Sequence, residues 1–293
     1  MILATAYILL SLAFSITYST IDAPNFSIGE LMTIGAYQSF ILANIMNLPV
    51  YLSLPLALVL GFLLNSAIYL VIIKPMTDRN RSSVLVTLAT LGLSLVLSRL
   101  IGVLAYRLRD MYGIYTFVFL LKKFDFQIGS IHGVFLVSSF AVFSVYFIWR
   151  HLYIKTKMGI SYRAILEDAS LAQVQGINRD SLWLKLWGFS GSLACLAGAI
   201  CPIWFSVSTI AGSLIITPVI TASILGGLKN PRGCFIGGLV VGVSEIMFTE
   251  LIMEHFGVRM GEYRPFIPMI ILVLVLFFKP EGLLGFKDQI EKM

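Results

Sequence analysis

Apolar runs of about 20 residues, the length an α-helix needs to cross a bilayer, dominate this sequence. The runs lie at residues 1–21, 27–46, 51–73, 84–106, 133–153, 183–205, 213–228, 233–252 and 265–278. Charged residues make up 12% of the chain, whereas soluble domains contain roughly 25%. The sequence therefore predicts an all-α, polytopic membrane protein formed by one domain, residues 1–293, with eight or nine transmembrane or broken helices. The first run is interpreted as a retained helix, because no basic region precedes it.

Basic residues are concentrated in connections that lie two spans apart. These connections are residues 74–81, 155–185, 229–232 and 279–287. Because short cytoplasmic loops are enriched in Lys and Arg, we expect all four, and the C-terminus, to be cytoplasmic in a cell-membrane protein. Residues 107–132 also carry basic residues, although this scheme places them outside. The net charge of +6 is thus explained by membrane topology and not by a nucleic-acid partner.

The longest polar interruption, residues 155–185, predicts a short amphipathic helix over 161–175. Ser161 is suited to cap its start, and Gly176 is suited to end it in the left-handed conformation. At helical spacing, one face is apolar and the other is more polar. The first face holds Tyr162, Ile165, Leu166, Ala169 and Ala172, and the second holds Arg163, Glu167, Ser170 and Val174. Such a helix either lies on the lipid surface or docks into a groove of a soluble partner.

A helix is interrupted and restarted near residue 24. Pro24 disfavours helix in the residue before it. Ser27 and Glu30 then have the spacing of a capping box, in which Glu30 reaches back to the helix start. Broken helices at bilayer depth often line the substrate sites of transporters. The alternative is a tight turn at the membrane surface.

Glu245 lies well inside the apolar run 233–252. A carboxyl group there must face the bundle interior, pair or be protonated, so Glu245 either contacts the translocation path or forms a structural hydrogen bond. The sequence contains no phosphate-binding Gly-x-x-x-x-Gly-Lys-Ser/Thr loop. It also shows no catalytic constellation and no metal-ligand cluster of its three histidines. If the protein pumps, its energy is expected to come from another chain.

Four stretches resemble the permease subunits of branched-chain amino acid importers of the ATP-binding-cassette (ABC) class, of the LivH type. They are residues 25–30 (NFSIGE), the segment 158–178 with Met158-Gly159, Arg163-Ala164, Glu167-Asp168 and Gly176-Ile177-Asn178, the glycine-rich segment 225–245, and residues 280–285 (PEGLLG). The resemblance runs in order from about residue 10 to residue 285. The family usually has more helix before the segment equivalent to residues 6–20.

The resemblance implies a set of partners. Two permease chains pair, here with a related second permease as a heterodimer partner. Two ATPase subunits bind ATP, so this chain holds no cofactor, and an extracytoplasmic binding protein delivers the solute. The cytoplasmic loop 155–182 then contains a coupling helix, whose ATPase-coupling residues are Gly159, Arg163, Ala164, Glu167, Ala169, Ala172 and Gly176. The substrate path is expected near Asn25, Ser27, Gly29, Glu30 and Glu245.

The solute implied by the resemblance is a branched-chain or other small aliphatic amino acid. Two alternatives remain open at this point. One is the same architecture importing urea or a short amide. The other is a carrier that acts alone and is driven by an ion gradient. An intramembrane enzyme has no catalytic constellation in its favour.

Overall fold

The computed structural model describes residues 1–79, 81–129, 131–257, 261, 263–279 and 282–283. The described residues form twelve α-helices and four two-residue strands. The helices are α1 (Ile2–Ile21), α2 (Ser27–Asn44), α3 (Ser53–Ile68), α4 (Lys74–Asp78), α5 (Ser83–Tyr112), α6 (Gly133–Lys155), α7 (Lys157–Glu167), α8 (Ala169–Val174), α9 (Arg179–Ile200), α10 (Ala211–Gly226), α11 (Pro231–Phe256) and α12 (Phe266–Phe278). The strands are β1 (Val118–Phe119), β2 (Gln127–Ile128), β3 (Ile131–His132) and β4 (Val207–Ser208).

The predicted all-α membrane fold is confirmed. Within the described residues, six helical segments are long and apolar enough to cross a membrane, and α10 and α12 are shorter apolar helices. One of the six is the continuous segment Val50–Asp78, which joins α3 to α4 through a π-helical turn at Tyr69–Ile73. Pro75 lies just after that turn and has no N–H to donate to the preceding turn of the helix. The small antiparallel pairs β1–β4 and β2–β3 were not predicted.

Helices α1 and α9 form the centre of the bundle, and both are buried along nearly their whole length. Their serines join them to neighbouring segments by hydrogen bonds to backbone carbonyls. Ser190 on α9 donates to the carbonyl of Ala13 at 2.9 Å, and Ser15 on α1 donates to that of Leu228 at 2.9 Å. The hydrophobic effect does not drive helices together in lipid. Helix association there depends instead on van der Waals packing and on hydrogen bonds such as these.

Glycines let these helices approach closely. A Cβ on Gly198 would collide with the carbonyl of Met32 on α2, and one on Gly238 would meet the backbone of Ile8 on α1. Gly233 likewise packs against Gly226 at the contact between α11 and α10. These small residues of the second half therefore serve helix packing within the chain.

Ser190→Ala is expected to lower the free energy of unfolding by about 0.6 kcal/mol, the average for hydrogen bonds between membrane helices. The matched control is Ser138→Ala, because among the described residues the buried Ser138 hydroxyl bonds only to the Phe135 carbonyl of its own helix. Unfolding in mixed micelles measures both variants. Equal losses would contradict a role for Ser190 in joining α9 to α1.

Four contacts show that the predicted basic connections lie at one end of the bundle, here called the loop end. Lys74 Nζ lies 2.9 Å from Asp180 Oδ2, and Lys229 Nζ lies 2.6 Å from Asp22 Oδ1. The N–H of Leu283 donates to the carbonyl of Leu225, and Tyr162 contacts Ser19. The described parts of these connections therefore lie at the same end of the bundle. Of the C-terminal PEGLLG stretch, only Gly282 and Leu283 lie within the described residues.

The opposite end, here called the strand end, holds residues 113–129, 131–132 and 201–210. Strand β1 pairs with β4 there, and the N–H of Leu121 donates to the carbonyl of Pro202 at 2.6 Å. The Tyr51 hydroxyl donates to the Asp125 carboxylate. The described residues of the basic loop 107–132 thus lie at the end of the bundle opposite the other basic connections.

Candidate functional site

The loop between α6 and α9 is built from two short helices, so the predicted single helix over 161–175 is wrong. Helix α7 begins earlier, at Lys157, and its cap is Thr156 and not Ser161, which lies inside the helix. The Thr156 hydroxyl accepts from the N–H of Gly159 at 3.3 Å and donates to the carbonyl of Leu152 at 2.6 Å. Asp168 then adopts an extended backbone between the helices, and its Oδ1 accepts from the N–H of Leu171, so it caps α8.

Helix α8 ends as the sequence predicted. Gly176 has φ +84°, the left-handed region that favours glycine. Its N–H donates to the carbonyl of Gln173 at 2.9 Å, and the N–H of Ile177 donates to that of Ala172 at 3.1 Å. This pair of bonds is the Schellman motif, which satisfies the last carbonyls of a helix.

Three residues anchor α7 to the membrane bundle. The Tyr162 side chain is 2% exposed, and its hydroxyl lies 2.5 Å from the Ser19 hydroxyl on α1. Burial raises the pKa of the Tyr162 phenol, which therefore stays neutral. Arg163 donates from Nη1 to the carbonyl of Tyr153 at 2.7 Å, and its guanidinium lies over the Tyr153 ring. Gly159 packs so closely on the carbonyls of Leu152 and Tyr153 that a Cβ would collide with both.

The apolar face predicted for partner contact turns mainly toward the protein itself. Tyr162, Ile165 and Ala172 are buried, whereas Leu166 is 39% exposed. The side chain of Ala169 lies outside the described residues. The exposed apolar side chains are instead Ile160, Leu166, Leu171 and Val174, the last 85% exposed. Ala164 is half-buried against the core. Glu167 is exposed and lies on α7 near these exposed apolar residues.

The residues proposed for the substrate path after Pro24 are brought together, but the predicted capping box is not formed. Asn25 Oδ1 accepts from the N–H and the hydroxyl of Ser27, at 3.1 and 2.7 Å. Glu30 does not reach back to the helix start. It accepts instead from the hydroxyl of Ser213 on α10, at 2.9 Å. The cause is tertiary, because Gly29 packs against Gly212 and so brings the start of α10 beside Glu30.

This cluster is fully enclosed in the bundle. Asn25 is 1% exposed, and Ser27 and Glu30 are 0% exposed. The Thr90 hydroxyl on α5 donates to the carbonyl of Pro24, which holds the turn against the bundle. Asn25 Nδ2 and Glu30 Oε2 have no hydrogen-bond partner within the described part of the chain. At the surface of this turn, the exposed Asp22 pairs with Lys229.

Glu245 forms a buried ionic network that joins three parts of the chain. Its side chain is 3% exposed. The Tyr7 hydroxyl on α1 donates to Glu245 Oε2 at 2.6 Å, and Arg264 Nε donates to Oε1 at 2.6 Å. Sequence reasoning missed Tyr7 and Arg264. Arg264 precedes the last apolar run and has the sequence context of an ordinary basic loop residue.

A cavity of about 300 Å³ lies beside this network, within the usual size range of small-molecule sites. Tyr7, Glu245 and Arg264 form part of its wall, and the Arg264 guanidinium also lies 5.5 Å from the centre of the Phe205 ring. The remaining wall is mostly apolar and includes Met32 and Ile215. A guanidinium next to an apolar surface suits a ligand that has both a carboxylate and an aliphatic part.

Known proteins similar to this chain are transport permeases. A family described as the branched-chain amino acid transport system permease component matches residues 1–276. A probable branched-chain amino acid transport permease protein LivH of Methanocaldococcus jannaschii is 34% identical over 278 residues, which cover 95% of this chain and 88% of that protein. The high-affinity branched-chain amino acid transport system permease protein LivH of Salmonella typhimurium is 26% identical and is matched over 99% and 94% of the two chains.

The fold also resembles a solved structure, PsaBC from Streptococcus pneumoniae in complex with Fab. The TM-score is 0.51 at 16% identity, over 99% of this chain and 94% of that chain, and this likeness concerns the fold alone. The family match is more informative, because it includes the α7–α8 loop, the enclosed cluster after Pro24 and the Glu245 network. This multi-pass membrane protein therefore belongs to the family of permease components of branched-chain amino acid transport systems.

Proposed function

We propose that this chain is the membrane-spanning permease subunit of an ABC importer for branched-chain or other small aliphatic amino acids. It forms the translocation path with a second, related permease in the cell membrane. Two ATPase subunits supply the energy, and an extracytoplasmic binding protein supplies the solute. The loop end, with the α7–α8 loop and the C-terminus, is cytoplasmic in this proposal. The basic connections gathered at that end support the orientation.

The observation that carries the proposal is the anchoring of α7 together with its exposed surface. Tyr162 and Arg163 fix α7 to α1 and α6 through hydrogen bonds. An ATPase that moved α7 would therefore move the helices of the bundle with it. Leu171 and Val174 on α8 remain exposed and are available to a groove on such a partner. In this proposal, four of the predicted coupling residues shape and anchor the surface that contacts the ATPase: Gly159, Ala164, Ala172 and Gly176. Glu167 contacts the ATPase directly.

The cavity beside Glu245 supports an aliphatic amino acid as solute. In this proposal the solute carboxylate is held by Arg264, and its side chain lies against Met32, Phe205 and Ile215. The enclosed residues Asn25, Ser27, Gly29 and Glu30 lie at the contact between α2 and α10. They would join the path when that contact opens.

The test is uptake by proteoliposomes that contain this chain, a second permease, the ATPases and the binding protein. Labelled leucine should enter only with ATP, and excess isoleucine should compete while urea should not. Arg264→Gln should raise the leucine concentration for half-maximal uptake about tenfold, the cost of one hydrogen bond to a charged group. Uptake by this chain alone, driven by an ion gradient, would contradict the proposal, and so would competition by urea.

A further inference from the structure

A second cavity, of about 220 Å³, lies between α6 and α11 at the loop end. Beside it the two helices meet through Tyr146 and Phe235, whose rings pack edge to face with centroids 5.1 Å apart. Arg150 from the last turns of α6 and Arg232 from the first turn of α11 both line this cavity. It is separate from the network around Glu245, which lies about 20 Å further along α11 at 1.5 Å per residue.

Positive charge is concentrated around this cavity. The Arg232 guanidinium lies 5.2 Å from the centre of the Tyr153 ring, and that of Arg163 lies 5.1 Å from the same centre. Neither Arg150 nor Arg232 forms an ion pair with any residue that the structure describes. Guanidinium groups gathered around one small space repel each other, and an anion between them removes that cost.

A buried donor on the same wall also lacks a partner. Trp149 lines the cavity and is 4% exposed, and its indole Nε1 has no hydrogen-bond partner among the described residues. Buried indole N–H groups usually have such a partner. The Trp149 ring is held by stacking on Phe189, with centroids 5.7 Å apart. The wall that holds the two arginines thus also contains a buried tryptophan whose N–H has no partner among the described residues.

We propose that this cavity binds the phosphate group of an anionic phospholipid. The phosphate would accept hydrogen bonds from Arg150, Arg232 and Trp149 Nε1. The lipid chains would extend along the apolar surfaces of α6 and α11, where Phe147 and Leu239 are exposed. Basic pockets between membrane helices near the cytoplasmic surface are suited to anionic headgroups. Because Tyr153 forms part of the wall and also holds Arg163 of α7, the bound lipid would contact the residues that anchor α7.

The test measures lipid binding by native mass spectrometry of the full chain in detergent. Phosphatidylglycerol, phosphatidylcholine and inorganic phosphate serve as three separate probes. The double variant Arg150→Gln, Arg232→Gln should bind phosphatidylglycerol at least about tenfold more weakly, since each basic residue contributes about 1 kcal/mol. The charge-matched control is Arg79→Gln, Arg81→Gln, which alters exposed residues of another connection at the loop end and should bind as the parent chain does. Trp149→Phe should cause a smaller loss because it keeps the ring and removes only the N–H.

Each other outcome decides against the proposal. Equal weakening in both double variants would indicate only a general attraction of basic residues to the membrane. Equal binding of phosphatidylcholine, or displacement of the lipid by millimolar inorganic phosphate, would rule out an anionic lipid as the ligand. The Arg150→Gln, Arg232→Gln variant could instead bind lipid normally and fail to co-purify with the ATPase. That result would indicate that the cavity contacts a protein and not a lipid. If that variant does not fold, unchanged binding by Trp149→Phe overturns the proposal by itself.

Discussion

Glu245→Ala is expected to lower the free energy of unfolding by about 3 kcal/mol. The substitution removes the acceptor of two hydrogen bonds of 2.6 Å and leaves the buried Tyr7 hydroxyl and the Arg264 guanidinium without their partner. Removing one partner of a buried ion pair costs about 3–5 kcal/mol, and we take the lower limit because the Arg264 side chain is 32% exposed and can turn toward water. Thermal unfolding in lipid-containing micelles measures the loss.

Two further variants separate structure from transport. Glu250→Ala removes an exposed carboxylate of the same helix and should change stability by less than about 0.5 kcal/mol. The triple variant Glu245→Met, Arg264→Met and Tyr7→Phe replaces the network by apolar side chains and should recover most of the stability. If the cavity is the solute site, the triple variant stays folded and still fails to transport leucine. A stable triple variant with normal uptake would leave the network a purely structural role.

Gly176→Pro is expected to abolish ATP-driven uptake and co-purification of the ATPase subunits while the protein remains in the membrane. Proline fixes φ near −65° and has no N–H, whereas Gly176 has φ +84° and donates to Gln173. Proline also disfavours helix in the preceding residue, so the last turn of α8 unwinds. Leu171 and Val174 would then lose the arrangement that the partner contacts.

Gly113→Pro provides a matched control. Gly113 ends α5 with φ +66°, and its N–H donates to the carbonyl of Arg109 at 2.9 Å. It thus has the same backbone role as Gly176, but it lies at the strand end, away from the proposed ATPase surface. ATPase co-purification should survive in Gly113→Pro and fail in Gly176→Pro. If both variants lose ATPase co-purification, the effect comes from general destabilisation. If both retain it, α8 is not part of the surface that couples to the ATPase.

The sequence was most informative about features that depend on residues near one another in the chain, such as helix length, helix ends and loop charge. A bilayer requires helices of a certain length, so the apolar runs matched the observed helices closely. Gly176 was recognised as a helix end because few other residues adopt its conformation. The distribution of basic residues correctly grouped the connections now seen together at the loop end. Charges of loops carry that information because each span reverses the side of the membrane.

The tertiary structure decided which partner each polar group has and which face of each helix is buried. Glu30 pairs with Ser213, 183 residues away, and Glu245 pairs with Tyr7, 238 residues away. Periodicity showed that α7 has an apolar face but not that the bundle itself covers it. The physical reason is that spacing along one helix records its amphipathic character, whereas the choice between a partner and the chain's own helices depends on contacts between distant segments. The sequence by itself thus determined the spans, their order and the family, and only packing decided the partners of Glu245 and the surface of α8 that faces outward.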